Sequence, residues 1–448
     1  MTQLFDAAQD YGISCTWVGT IPIVYLRDPA VIRQVLVLNS DSISRCGPDG
    51  RGPFGIAQRL TGDVTTNADG KNWHRWRTNL LKDFHSPAAL NSLYDDILRI
   101  AKDHVRKMKD HKSGQDLRKT MEAYALDTVW YMALGSENVS ESSGELLSVM
   151  SRYMNIVGNP SHLWRHSVRN FFLGKPFREP DYVEQSIRDD INKVIGKLLD
   201  QNIREINPEA PCDKGQRHRF LQRISKESGG SCQKPITEDV LTHAREVFYL
   251  GHEAASLLLF WAIYELSFHP EVIWKLRHHL RENWSNGCDP DLVTILKMPY
   301  LNAVVSEVLR LHPPISTTAR MVTKPIVVET RGNEIVTLPQ GSQIFSSIHL
   351  LHHDIQVWGD TAEEFLPERW TGNLANTRTN HCEYLPFLTG PRCCPSSGFV
   401  LLQIKTMLAV LILQVDVKLP GASEVGKIVG NVVRPDTILG YEICEILA

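Results

Sequence analysis

A chain of 448 residues, 42% hydrophobic and 22% charged, folds around one large core or two to three ordinary ones, which excludes a disordered segment and a coiled-coil rod. A formal net charge of −3 with no long basic run excludes nucleic-acid binding by phosphate neutralisation. Nine scattered cysteines lack the dense spacing of a small secreted domain and fit a reducing compartment.

Met1 to Asp10 carries two aspartates and no apolar run, so neither a signal peptide nor a membrane anchor is expected there. Thr16 to Leu26 reads as a strand. Gly50-Arg-Gly52-Pro-Phe-Gly55 satisfies Gly-x-Gly-x-x-Gly, but Pro53 lies inside it and no strand or βαβ pattern frames it, so it is set aside as a dinucleotide site. Helical periodicity covers Ala88 to Met108 and Val183 to Ile206, and the polar stretch Asn207 to Lys234 reads as a surface loop. The aromatic and basic run His162 to Phe177 can touch a membrane surface or pack as a loop.

Pro235 to Phe268 is the best-marked helix, with Thr237 as cap, Glu238 and Asp239 in its first turn and Pro270 just past its end. At its middle lies Gly251-His252-Glu253. A glycine there costs ~1 kcal/mol against alanine and points to a close approach or a local opening of the helix, although a packing glycine is the commoner explanation. Further helices are expected over Val272 to Trp284 and Phe399 to Leu413. The latter, interrupted by Gln403 and Lys405 and short of the ~20 residues that span a bilayer, reads as buried. Ile326 to Val328 and Glu334 to Leu338 form a hairpin around Gly332-Asn333. The fold class is therefore mainly α with small β elements.

The segment Phe387 to Phe399 puts a glycine turn, Arg392, Cys393 and Cys394 just before an apolar helix. A helix N-terminus lowers a thiol's pKa and holds the thiolate. A cysteine alone is more often a small buried hydrophobe, and zinc has no spaced Cys-x-x-Cys pair to support it. Further signals elsewhere along the chain decide.

Phe387, Gly390, Arg392 and Cys394 match Phe-x-x-Gly-x-Arg-x-Cys. Glu307 and Arg310 match Glu-x-x-Arg, Pro367-Glu368-Arg369 follows downstream, and Trp73 and Arg77 match Trp-x-x-x-Arg. With these motifs the chain resembles the cytochrome P-450 family from about Gly12 to its C-terminus, and looks most like its eukaryotic, particularly fungal, branch. The resemblance implies a single catalytic domain over residues 1–448, a helical prism around one buried haem b (iron protoporphyrin IX). It implies Cys394, not Cys393, as axial iron ligand, and a structural set of Glu307, Arg310 and Arg369. Trp73 and Arg77 are implied at a haem propionate, with Arg320 as a second propionate partner.

On the distal side the family's Ala/Gly-Gly-x-Asp/Glu-Thr reads Leu250-Gly251-His252-Glu253-Ala254. The hydroxyl that delivers protons is missing, and Ser256, two residues along a helix, points elsewhere. Glu253 remains the candidate proton relay, and a trapped water or the substrate's own hydroxyl is expected to supply the missing donor. Leu250, Ala254 and Ala255 are expected to line the pocket. In the ligand loop Ser396 replaces a glycine and Leu388 is atypical; a serine there is expected to strain the backbone.

The expected activity is insertion of one atom of dioxygen into an apolar small molecule, a fungal secondary metabolite such as a terpenoid or polyketide. No flavin or nicotinamide motif is present, so electrons are expected from NADPH through a reductase; Arg75, Lys82 and Lys405 can steer such an acidic partner, although solvated surface cations are the commoner explanation. Ala254 keeps open an isomerase or dehydratase, a peroxide-driven enzyme, or a non-catalytic haem protein. The expected location is cytoplasmic, or peripheral on the cytosolic face of the endoplasmic reticulum. His349, His352, His353 and Asp354 are read as structural rather than metal-binding.

Overall fold

Eight helices position the site: α1 (Gly70–Phe84), α2 (Pro87–His111), α3 (Leu117–Leu134), α4 (Glu238–Leu250), α5 (Glu253–Phe268), α6 (Pro270–Asn283), α7 (Pro299–Leu311) and α8 (Ser397–Gln414). The computed structural model describes residues 12–18, 20–47, 52–111, 113–135, 144–157, 180–206, 219–284, 289–370, 378–429 and 432–444. Helices α3, α5 and α8 are apolar almost all round, as buried helices are, and form the centre of the main core, with α5 packed along α3 and α8 along α2. Among the described residues α8 is the one helix long and apolar enough to cross a membrane, and most of it is buried inside the protein. Tyr124 of α3 donates to the Gln403 carbonyl of α8 at 2.9 Å, so this contact is keyed as well as greasy.

The expected helix Pro235 to Phe268 is two helices. Thr237 caps α4 through the Val240 amide and Pro270 opens α6, as expected, but the chain is interrupted at Gly251-His252. A Cβ on Gly251 would lie 2.5 Å from Val129 Cγ2 on α3. Close approach and helix opening therefore coincide at one residue.

Seven strands matter: β1 (Ile13–Val18), β2 (Ile21–Leu26), β3 (Ile43–Ser44), β4 (Thr317–Val322), β5 (Ile326–Glu329), β6 (Ile335–Leu338) and β7 (Gln343–Ser347). Thr16 to Leu26, read as one strand, is split into the antiparallel pair β1 and β2. β2 runs parallel to β7, and the main sheet has the order β1-β2-β7-β4-β3. The hairpin β5-β6 is present as expected, and Asn333 takes the left-handed conformation its turn requires (φ 59°). The stretch Asn207 to Lys234 is not all loop. Residues 207–218 lie outside the described residues, but Phe220–Glu227 is a helix that buries Phe220, Leu221 and Ile224. The run His162 to Phe177 and the start of the chain, Met1 to Asp10, also lie outside the described residues.

Candidate active site

The loop before α8 is fixed by its backbone. Gly390 has φ 70°, and a Cβ there would run into the Leu36 carbonyl oxygen, so the family glycine is obligatory in this geometry. One turn of 3-10 helix, Gly390–Arg392, follows. The Cys394 amide then donates to the Phe387 carbonyl at 2.8 Å, which closes the loop. Ser396 has φ −107°, an ordinary value, so the expected strain is absent there and sits at Leu388 instead, with φ 60°. Ser396 has a different part: its hydroxyl lies 3.4 Å from Cys394 Sγ. The thiol also departs from expectation, since burial pushes its pKa up and outweighs the Ser396 hydroxyl and amide that favour the anion.

Four guanidinium groups gather beside this loop. Arg77, on α1, donates to the Cys393 carbonyl at 2.6 Å and lies 3.1 Å from Cys393 Sγ. Arg392 stacks over Trp73, 4.1 Å from the ring centroid, donates to Ala68 O at 2.7 Å and pairs with Asp69. Arg320, buried on β4, has one nitrogen held by Thr318 Oγ1 and Ala319 O. It is a buried cation, not an ordinary surface one. Arg45, which sequence reasoning missed, joins them: it donates to Thr66 O at 2.8 Å, and its buried Nε has no partner among the described residues.

Burial and the neighbouring Arg392 pull Arg45 down to about 10, and burial with Arg45 and Arg392 pulls Arg320 well below its usual range. Against these cations stands the carboxylate of Asp69, itself engaged by Ser44 at 2.5 Å. Such crowding of buried like charges calls for further anions. Two propionate carboxylates have the charge and fork-matching geometry to answer it, so the residues present fit haem.

On the central helix Ala254 is half-buried and offers no hydroxyl, while Ser256 spends its own on the Glu253 carbonyl at 2.9 Å. Burial raises the Glu253 pKa against the pull of Arg118 and Arg434. Glu122 on α3 is a second carboxyl whose pKa is raised, by burial first and by Glu253 nearby, against the pull of Arg118. The side chain of Leu250 lies outside the described residues.

Glu307 and Arg310 of α7 are fully buried, and the network around them is complete. Arg310 gives two bonds to Glu307 and the rest to the carbonyls of His352, Ala362 and Glu364. Glu307 also accepts from Arg369, the Leu366 amide and Trp370 Nε1. Trp370, one residue beyond the sequence motif, had no signal of its own. The network ties α7 to the segment that leads into the ligand loop.

The histidine cluster is structural in its contacts. His352 bonds the Arg310 carbonyl and receives the Leu385 amide, His353 bonds His349 O, and Asp354 pairs with Arg27. No metal-binding group of His, Cys, Asp and Glu occurs among the described residues. Of Gly50 to Gly55, residues 50 and 51 lie outside the described residues, and Gly52 is packed against Cys46. Lys405 corrects an expectation. It is buried, donates to Leu296 O at 3.1 Å and is pulled down to about 8 by burial, so it cannot steer a partner. Arg75 and Lys82 are exposed but paired with Asp239 and Glu227.

A cysteine loop feeding a buried helix, a cluster of guanidiniums beside it and an interrupted central helix define a haem-thiolate oxidoreductase. The chain belongs to the cytochrome P450 family, whose family model matches residues 1–439. It is similar to "Cytochrome P450 72A397" of Kalopanax septemlobus, 27% identical over 91% of this chain and 76% of the relative. It is also similar to "Secologanin synthase 1" of Catharanthus roseus, 26% identical over 89% and 74%. The fungal "Cytochrome P450 monooxygenase claW" of Ampulloclitocybe clavipes is 30% identical over 54% of this chain and 47% of its own length. The protein is therefore a cytochrome P450 monooxygenase that binds haem b and uses a small organic substrate, dioxygen and a redox partner.

Proposed function

We propose that this chain inserts one atom of dioxygen into an apolar secondary metabolite, a terpenoid or polyketide, with NADPH electrons delivered by a flavoprotein reductase. Bound haem supplies the oxidising chemistry, and a thiolate ligand favours O–O cleavage. The chain's own residues do the rest. Cys394 supplies the ligand, and Arg45, Arg77, Arg320, Arg392 and Trp73 hold the propionates. Glu253, whose pKa burial raises, carries protons toward the distal side where Ala254 leaves room for a water.

The observation that carries this reading is the cluster of buried and half-buried guanidiniums around the Cys393-Cys394 loop. A reduced carbon-monoxide difference spectrum tests it directly. Cys394→Ser should abolish the thiolate-type band and Cys393→Ser should keep it; the opposite pattern assigns the ligand to Cys393. Ala254 is the observation that favours a second reading, a peroxide-driven or rearranging enzyme. Product formation with NADPH, reductase and dioxygen, set against peroxide alone and against no oxidant, separates these.

A further inference from the structure

One turn before the interruption, α4 buries a polar group that the site above does not use. Glu246 is 1% exposed and His243 fully buried. Glu246 Oε2 accepts from Thr65 Oγ1 at 2.7 Å, while Oε1 has no partner among the described residues. His243 Nε2 lies 3.5 Å from Asn79 Nδ2, which as a donor leaves the ring proton on Nδ1; that atom too has no partner. His243 Nδ1 and the nearer Glu246 oxygen are 3.6 Å apart, too far for a direct bond. The ring is packed edge-on to Trp76 and Phe220, which hold it in place.

A buried donor and a buried acceptor, both unmet and side by side, each cost ~1–3 kcal/mol. One hydroxyl satisfies both, accepting from Nδ1–H and donating to Oε1. A metal does not, because no third His, Cys, Asp or Glu ligand stands there among the described residues. The location is beside the haem site. Thr65, the partner of Glu246, belongs to the segment whose carbonyls Arg392 and Arg45 hold, at Thr65, Thr66 and Ala68.

We infer that Glu246 and His243 form an anchor for the hydroxyl group of an otherwise apolar substrate. The inference rests on the monooxygenase reading and narrows its substrate class to alcohols.

The test uses the haem-loaded full chain and three probe pairs: geraniol, farnesol and geranylgeraniol, each with its methyl ether, which keeps the acceptor and loses the donor. Binding is read by the spin-state shift of the haem band and by equilibrium dialysis. At least one alcohol should bind about tenfold more tightly than its ether, and Glu246→Leu should reduce that preference to about twofold or less. Glu246→Gln, which can still accept a hydrogen bond, should retain part of it. If Glu246→Leu fails to load haem, Glu246→Leu with His243→Leu carries the test, since it leaves no half-met pair. Equal binding within every pair, no alcohol bound at all, or a preference that survives Glu246→Leu overturns the anchor and leaves the pair a water site only. The reduced carbon-monoxide band separates this from failure of the enzyme reading: with the thiolate band present only the anchor falls, and without it the reading falls too.

Discussion

Ser396 touches the sulfur of Cys394, where a glycine would touch nothing. A hydroxyl at 3.4 Å from Cys394 Sγ, the ligand proposed above, would draw electron density from the thiolate, weaken its donation and favour the reduced metal. Ser396→Ala should therefore shift the haem reduction potential to a more negative value and displace the carbon-monoxide band, with haem content unchanged. An unmoved potential would show that the hydroxyl turns away once haem is bound. Gly390 gives the opposite kind of residue, one that only backbone can explain. Gly390→Ala adds a Cβ against Leu36 O at φ 70°, a left-handed strain of ~1–2 kcal/mol plus the clash. Melting temperature and haem content should both fall, and a variant that loads haem normally would contradict the geometry. Of these two residues the sequence marked Gly390 as part of the motif and Ser396 as a departure from it. It misplaced the strain, because φ at positions 388 and 396 depends on how the loop meets Leu36 and not on residue type alone.

The central helix carries the element-scale argument. Its caps were legible because Thr237, Asp239 and Pro270 act through local backbone chemistry. Its interruption was only half legible, since a glycine signals permission to bend while the cause, Val129 on α3, lies more than a hundred residues away in sequence. The small helix Phe220–Glu227 was missed for a related reason: its three buried apolar residues were outweighed by the surrounding Lys, Arg, Gly and Ser. Beyond the interruption, Ser256 is committed to the Glu253 carbonyl and Ala254 has no polar group, so with a substrate hydroxyl held at Glu246 a trapped water is left as proton donor. Ala254→Thr replaces that water with a hydroxyl fixed to the helix. The ratio of product formed to NADPH consumed should rise, and an unchanged ratio would sink the trapped-water idea.

At the scale of the whole molecule, Glu307 with Arg310 and Arg369 is the set read from short spacings whose contacts the structure forms, while the haem roles of Cys394, Trp73 and Arg77, also read from short spacings, stand as proposals. Arg45 and the Glu246–His243 pair were not legible, because each gains meaning only from partners brought by distant elements. The same long-range burial sets the response to pH. His312 and His349 are pulled down to about 4, His352 to about 3 and His353 to about 2, in each case chiefly by burial. Unfolded, each would take a proton near ~6.5. The unfolded chain therefore binds more protons than the folded one below that value, and stability present above pH ~6.5 is lost as pH falls toward 4. Each such group steepens the fall by at most about 1.4 kcal/mol per pH unit. Glu253 and Glu122 act in the other sense: raised in the fold, they contribute stability that is full below ~4.5 and is lost as pH rises through their folded values. Urea unfolding measured from pH 8 to 4 should show a descent on the acid side that is shallower in His349→Leu, and a loss on the alkaline side that is smaller in Glu253→Gln, where Glu122 still contributes. Parallel curves for wild type and His349→Leu would mean that this histidine is charged in the folded protein, contrary to its burial.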